Sequence, residues 1–276
     1  MTVTITSFGG VDMANLAKIM GLDVPEGGVS GGDRGVFGGG DDASTPKINN
    51  IDSIVISTTG NALNFGDLSV ARSSAGATSN GYTGRGVFWC GDTGEKVNII
   101  DYITSTSAGN AADFGDYIKK VRYLSATSNG TNDRGVSFAG DSSKTNVIDY
   151  ITISSASNAS DFGDVSAESA YSGACSNATN DRGVCAIANT GSAVNNIEYI
   201  TISTPSNATD FGDLTVARYI LSGLSNNTNN RGVFGGGTTG SNSNIIDYIT
   251  ISTTGDATDF GDLSTAVLTP AGTSNA

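Results

Sequence analysis

The sequence contains no histidine. That absence removes the commonest general base, the commonest transition-metal ligand and the usual serine or cysteine triads together. Cysteine is scarce as well: Cys90, Cys175 and Cys185 are an odd number without metal-ligand spacing. Cys185 stands where Phe37, Phe88 and Phe234 stand elsewhere in the chain, as a buried thiol acting as a small hydrophobe would. Basic side chains are few, 14 against 27 acidic ones, and the net charge of −13 repels phosphate backbones and anionic lipid heads. Nucleic acid is therefore excluded as an expected partner. No window approaches the apolar length of a membrane span, so membrane insertion is not expected either. The N-terminus lacks the basic flank and apolar core of a secretory signal, and folding in a cytoplasm is the expectation.

What the chain has in quantity is glycine, 38 residues against 4 prolines, together with 37% hydrophobic residues. This composition suits a core built from short strands and tight turns. The dominant feature is a repeat. Arg-Gly-Val begins at Arg34, Arg85, Arg134, Arg182 and Arg231. An isoleucine-acid pair ends at Asp52, Asp101, Asp149, Glu198 and Asp247, and Phe-Gly-Asp begins at Phe65, Phe114, Phe162, Phe211 and Phe260. Successive spacings are 48 or 49 residues, apart from 51 between the first two arginines. Three independent markers keep one period, so the repeat is the primary fold signal.

Each unit offers four strand-like runs: Arg231 to Gly236, Asn244 to Ile251, Phe211 to Arg218 and Tyr219 to Ser225 in the best-preserved copies. The second run is β-branched and aromatic, as a half-buried strand requires. Turns such as Thr253-Thr254-Gly255-Asp256 and asparagine-rich linkers such as 226–230 separate the runs. Four short antiparallel strands per unit of about 50 residues are the mark of a propeller blade. Aligning Phe211 with Phe260 lays residues 270–275 over 221–226, so the C-terminal strand is expected to complete the blade begun at Arg34. Pairing the two ends leaves no long unpaired edge. The fold expected is all-β: a five-bladed β-propeller of four-stranded blades over residues 32–276, closed by its N- and C-terminal strands.

Residues 1–31 stand outside the repeat. Thr2 to Thr6 alternates as a short strand would. Met13, Leu16, Ala17 and Met20 fall on one helical stripe, with Asp12 placed to cap it and Gly21 to stop it. This extension either lies against the propeller body or docks the chain to a larger assembly through its adaptable methionines. Met13, Leu16 and Met20 are the candidate attachment residues.

Chemistry is thinly represented. The aspartates of Asp-Phe-Gly-Asp could form a calcium site or carboxylate pair, but they return in most units, and turn capping or pairing with the repeated arginines is expected. Those arginines are read as anchors between strands or blades. The glycine run Gly38–Gly40 lacks the lysine and helix start of a phosphate cradle. No cofactor, metal site or catalytic residue is expected. Asn158, Asn177 and Asn207 match glycosylation acceptors and are read as turn asparagines. The residues that break the repeat are the candidate binding residues: Trp89, standing where Gly38 and Gly235 stand, Tyr82 in a polar linker, and the variable loop opening at Asp92. An exposed aromatic among polar groups suits sugar stacking, whereas Trp89 could equally fill a gap between blades.

Val-Phe-Gly-Gly-Gly, followed by Ile-Asp-Tyr and Ala-Arg, resembles the Kelch repeat over roughly residues 32–276. The chain departs from that family in lacking the tryptophan placed after the tyrosine strand, where the phenylalanine of Phe-Gly-Asp stands instead. The recurring Asp-Phe-Gly-Asp-Leu-Thr-Val-Ala-Arg and Ile-Asp-Tyr-Ile-Thr-Ile phrases are similar to those of structural proteins of tailed bacteriophages, especially marine and cyanobacterial ones. That resemblance implies a non-enzymatic virion component, of fibre, tail or head decoration, assembled in the host cytoplasm. Residues 1–31 would then attach to other virion proteins, and the loops would contact a host-surface glycan or protein. The alternative is a free-standing lectin-like or scaffold propeller.

Overall fold

A phenylalanine that always arrives with glycine and aspartate sets the geometry of this protein. The computed structural model describes residues 7–8, 11–12, 33–42, 47–79, 84–130, 132–138, 140, 145–177, 180–225 and 230–268. Their regular structure is all β, in antiparallel sheets.

Blade I holds β3 (Arg34–Gly40), β4 (Ile48–Val55) and β5 (Leu63–Asp67). Blade II runs β6 (Gly76–Ser79), β7 (Arg85–Asp92), β8 (Lys96–Thr104) and β9 (Ala112–Val121). Blade III runs β10 (Ser125–Thr127), β11 (Arg134–Phe138), β12 (Thr145–Thr152) and β13 (Ser160–Ser169). Blade IV runs β14 (Gly173–Ser176), β15 (Arg182–Ala186), β16 (Asn196–Thr201) and β17 (Thr209–Asp213). Blade V runs β18 (Ser222–Ser225), β19 (Arg231–Gly235), β20 (Ser243–Thr250) and β21 (Thr258–Val267). Strand order within each blade follows chain order. The first strands β6, β10, β14 and β18 touch one another in succession and so line the axis. The fold is a five-bladed β-propeller.

The inner strand expected for blade I, residues 270–275, lies outside the described residues, and so do the strand expected at Thr2 to Thr6 and the stripe carrying Met13, Leu16 and Met20. Ahead of the blades, β1 (Ser7–Phe8) pairs with β2 (Val11–Asp12). Asp12, expected as a helix cap, is instead strand-paired with Ser7.

In every blade the register slips opposite the isoleucine-acid pair. Ile100 faces Gly115 and Asp101 faces Asp113, which leaves Phe114 as the extra residue of a β-bulge. The same slip makes extra residues of Phe65, Phe162, Phe211 and Phe260. A bulge re-aims one side chain and sharpens the local twist. Here it turns Phe65, Phe114, Phe162 and Phe211 into the interface with the next blade, where each is buried. The following glycine adopts φ of +140° at Gly115 and +144° at Gly163, a backbone state that side chains disfavour. It also admits the neighbouring blade: a Cβ on Gly163 would lie 2.4 Å from the carbonyl oxygen of Ser206.

The core is therefore distributed among the seams. Four hydrophobic clusters are present among the described residues, each straddling two adjacent blades. One unites Phe65, Leu68, Phe88 and Ile103 of blades I and II; another unites Phe211, Leu214, Phe234 and Ile251 of blades IV and V. Burying such a phenylalanine contributes roughly 1.5–3 kcal/mol.

Polar contacts repeat at the same seams. Gly109 donates its N–H to the Phe65 carbonyl at 2.7 Å, and Asp67 donates to Asn110 Oδ1 at 3.1 Å. Asn158 and Asn207 repeat the second contact, accepting from the N–H groups of Asp116 and Asp164 at 3.0 Å each. The repeated arginines anchor blades as expected. Arg85, Arg134 and Arg182 donate to the carbonyls of Ile153, Ile202 and Ile251 in the next blade at 3.1, 2.8 and 2.9 Å. Each also covers a tyrosine of its own blade, Tyr102, Tyr150 or Tyr199, at 4.4–4.5 Å.

The expected pairing of those arginines with Asp-Phe-Gly-Asp is not what forms. The buried ion pairs join Arg72 to Asp101 at 2.8 Å and Arg218 to Asp247 at 2.6 Å, using the acid after isoleucine and a different arginine. On the outer flanks of blades V and I, Phe260 is 53% exposed and Phe37 63% exposed, unlike their counterparts at the four described seams.

Candidate functional site

The chain passes from the outer strand of one blade to the inner strand of the next by a short connector at one end of the propeller. The loops between second and third strands reach the same end, and bridges tie the two sets together: Ser73 to Asp92, Ala170 to Asn189, and Tyr219 to Thr238. Each connector bends through one left-handed residue, Ser74 (φ 56°), Tyr123 (59°), Tyr171 (62°) or Ile220 (60°). Such a conformation is unusual for bulky side chains and is held by its surroundings. Neighbouring connectors supply that support, since Tyr123 N–H donates to the Ser74 carbonyl at 3.0 Å and Ile220 N–H to the Tyr171 carbonyl at 3.1 Å.

This backbone chain carries a row of rings. Tyr123 and Tyr171 have centroids 4.6 Å apart with planes inclined at 36°, and Tyr171 and Tyr219 are 6.3 Å apart at 48°. All three are half-buried, and they come from the connectors leading into blades III, IV and V. Arg122 covers Tyr123 at 5.1 Å from its centroid. Centroid separations of this kind give attractive ring pairs, and a guanidinium over a ring adds a cation–π contact.

Arg122 also pairs with Asp92, which links the row to a charged cluster. Asp92 is 5% exposed and accepts the Gly94 N–H at 2.7 Å. Lys47 lies 3.7 Å from Asp92 and 3.1 Å from Asp41, and donates to Ser73 Oγ at 3.0 Å. The Gly94 N–H holds the Asp92 carboxyl below its ordinary value; burial opposes this, and Arg122 and Lys47 reinforce it. The hydrogen bond to Asp41 raises Lys47 against its own burial cost. Asp92 and Lys47 are thus held charged within an internally compensated cluster beside an aromatic strip.

Of the candidate binding residues, Asp92 sits on this end face with both carboxylate oxygens engaged. Trp89 does not face solvent. It is fully buried at the seam of blades II and III, edge-on to Tyr117 with centroids 6.1 Å apart. It fills space between the two blades, which is the gap-filling role. Tyr82 lies outside the described residues. The three cysteines are buried free thiols; burial raises Cys90 and pushes Cys175 and Cys185 up to about 12. Neutral thiols of this kind are inert.

The tyrosine row escaped the sequence reading because its members are out of step. Tyr123 and Tyr171 lie nine residues after their Phe-Gly-Asp phenylalanines, and Tyr219 lies eight after Phe211. Reading the connector as a strand hid them. The available signal was aromatic substitution at the place held by Ser73 and Ser74 in the connector to blade II.

Among the described residues no group of three or more acidic or cysteine side chains is arranged to hold a metal ion, and no helix is long and apolar enough to cross a membrane. No protein-family model matches the sequence, and a search of curated proteins finds no significant match.

Proposed function

We propose that the protein is a Kelch-like propeller serving as a non-enzymatic structural component of a tailed-phage particle, with the tyrosine-bearing end face as its contact surface. The observation that carries this reading is the contrast between repeated and unrepeated residues. The repeated arginines, phenylalanines and asparagines are spent on the seams, whereas Tyr123, Tyr171 and Tyr219 vary between units and stand at the open end of the scaffold. Variable residues on a rigid frame are where recognition is placed. Half-buried tyrosines give large contact area at low entropic cost. Repeat style supports the virion assignment, with residues 1–31 as the attachment to other virion proteins and a host-surface glycan or protein as the outward partner. A free-standing lectin-like propeller is the second reading, favoured by the same rings and requiring no particle.

The test replaces Tyr123, Tyr171 and Tyr219 together with serine, the residue native to the equivalent positions at Ser73 and Ser74. Binding to host cells and to a glycan array is then measured for the triple variant and the parent. Loss of binding with an unchanged melting temperature supports the contact face. Retained binding, or hydrolysis of a polysaccharide abolished by one aspartate substitution, overturns the reading. A chain lacking residues 1–31 that still enters particles removes the attachment role.

A further inference from the structure

We propose that the seam between blades II and III is a proton-operated lock, tight while Asp149 is neutral and loosened when it ionises. Blades II to V each carry a buried acid facing the outgoing segment of the blade before it. In blade II, Asp101 accepts from Arg72 and from the N–H and hydroxyl of Ser69. In blade V, Asp247 accepts from Arg218 and from Thr215 in the same way. Glu198 of blade IV has no arginine but takes the N–H and hydroxyl of Ser166.

Blade III breaks this scheme at several points together. Val121 stands at the arginine position, and Ile118, 50% exposed, stands at the hydroxyl position. Asp149 is fully buried, and neither carboxylate oxygen receives a hydrogen bond of ordinary geometry, although the Tyr117 hydroxyl bears on it. Tyr117 occupies the place of Leu68 and Leu214, and Ser137 that of Phe88 and Phe234, so both new neighbours are polar. Ser137 donates to the Tyr117 hydroxyl at 3.0 Å, while Trp89 packs edge-on against Tyr117 with its own Nε1 buried and unpartnered. A lost arginine alone would be drift. Coordinated replacement around a retained acid is a different local design.

A buried carboxylate without a counter-charge neutralises rather than ionises. Burial pushes Asp149 up to about 7; Tyr117 opposes the shift, Asp161 on β13 adds to it, Lys119 on β9 opposes it and Asp164 on β13 adds to it. From β7, Cys90 also bears on Asp149, and burial keeps its thiol neutral. The folded value is raised above that of the unfolded chain, near 3.9. Between about pH 4 and about pH 7 the native state therefore holds a proton that the unfolded state has released. Stability falls as pH rises through that window and levels off above it. A shift of this size corresponds to a folding constant on the order of a thousandfold smaller above the window than below it.

Urea unfolding of the whole chain from pH 4 to 9, followed by the fluorescence of Trp89, reads the lock directly because that indole sits in the same seam. The parent is expected to lose stability with rising pH, and Asp149→Asn to be flat over the window. Val121→Arg with Ile118→Ser, which rebuilds the blade II arrangement, is expected to remove the loss as well. Parallel profiles for parent and Asp149→Asn overturn the proposal. If Asp149→Asn does not fold, carboxyl carbon NMR of the parent decides instead: one aspartate titrating near neutrality supports the lock, and all aspartates titrating below about pH 5 overturn it.

Discussion

Arg218 Nη1 lies 2.6 Å from the Asp247 carboxylate, with both side chains fully buried between blades IV and V. The remaining donors of Arg218 reach the carbonyls of Gly236 and Phe234 at 3.0 and 3.1 Å, so the guanidinium is surrounded by acceptors. Removing one partner of such a pair leaves an uncompensated charge and costs about 3–5 kcal/mol, whereas an apolar replacement of both is far milder. Asp247→Ala is expected to lose stability in that range by urea titration. Arg218→Met with Asp247→Leu is expected to lose less. A double variant weaker than the single one would show that the buried charge is not the source of the loss.

Phe211 and Phe260 occupy the same bulge position in successive blades but differ in cover. Phe211 is buried at the seam of blades IV and V, and Phe260 is half-exposed. Phe211→Ala is expected to cost about 3–5 kcal/mol by the usual cavity and transfer terms. Phe260→Ala is expected to cost less than half as much. Equal losses in thermal unfolding would mean that a partner surface covers Phe260 in solution.

Gly163 and Gly255 separate backbone strain from close approach. Both have left-handed φ, +144° and +155°. A Cβ on Gly163 would meet the Ser206 carbonyl, while one on Gly255 would meet nothing within 4 Å. Alanine at Gly255 is expected to cost about 1–3 kcal/mol of conformational strain. Alanine at Gly163 is expected to exceed that, since the backbone of blade IV must also withdraw. Calorimetric midpoints of the two variants check the order.

Asp92 gives the opposite pH signature to Asp149. Its carboxyl is lowered, chiefly by the Gly94 N–H, so its contribution is present above the unfolded value of about 3.9 and is lost as pH falls through the folded value. On acidification from about pH 5 to about pH 2.5, the parent is expected to lose more stability than Asp92→Asn. Superimposable acid limbs in melting experiments would exclude a role for this carboxylate.

The blade count and strand order were legible because Arg-Gly-Val, the isoleucine-acid pair and Phe-Gly-Asp recur in fixed step, and recurrence of a supersecondary unit is a one-dimensional signal. The bulge at Phe114 was not, since a register slip is a relation between two strands rather than a spacing in one. The buried arginines escaped for a similar reason. Arg72 and Arg218 appear in only two units, whereas of the conspicuous arginines, present in all five, Arg85, Arg134 and Arg182 serve backbone carbonyls across seams. Trp89 stood out in the sequence by its rarity, yet rarity says nothing about exposure. The tyrosine row needed three connectors brought side by side, which only the closing of consecutive blades supplies.

Three of the four described seams are bound by one unit reaching for the same main-chain atoms of its successor, as Arg85 does for Ile153, Arg134 for Ile202 and Arg182 for Ile251. Main-chain atoms survive any change of side chain. A gene segment of one period, 48 or 49 codons, could accordingly be duplicated or deleted by unequal crossing-over with every surviving junction still supplied with donors and acceptors. Lineages of such chains would be free to alter their number of modules while diversifying the rings and charges at one rim, so that size and recognition evolve separately.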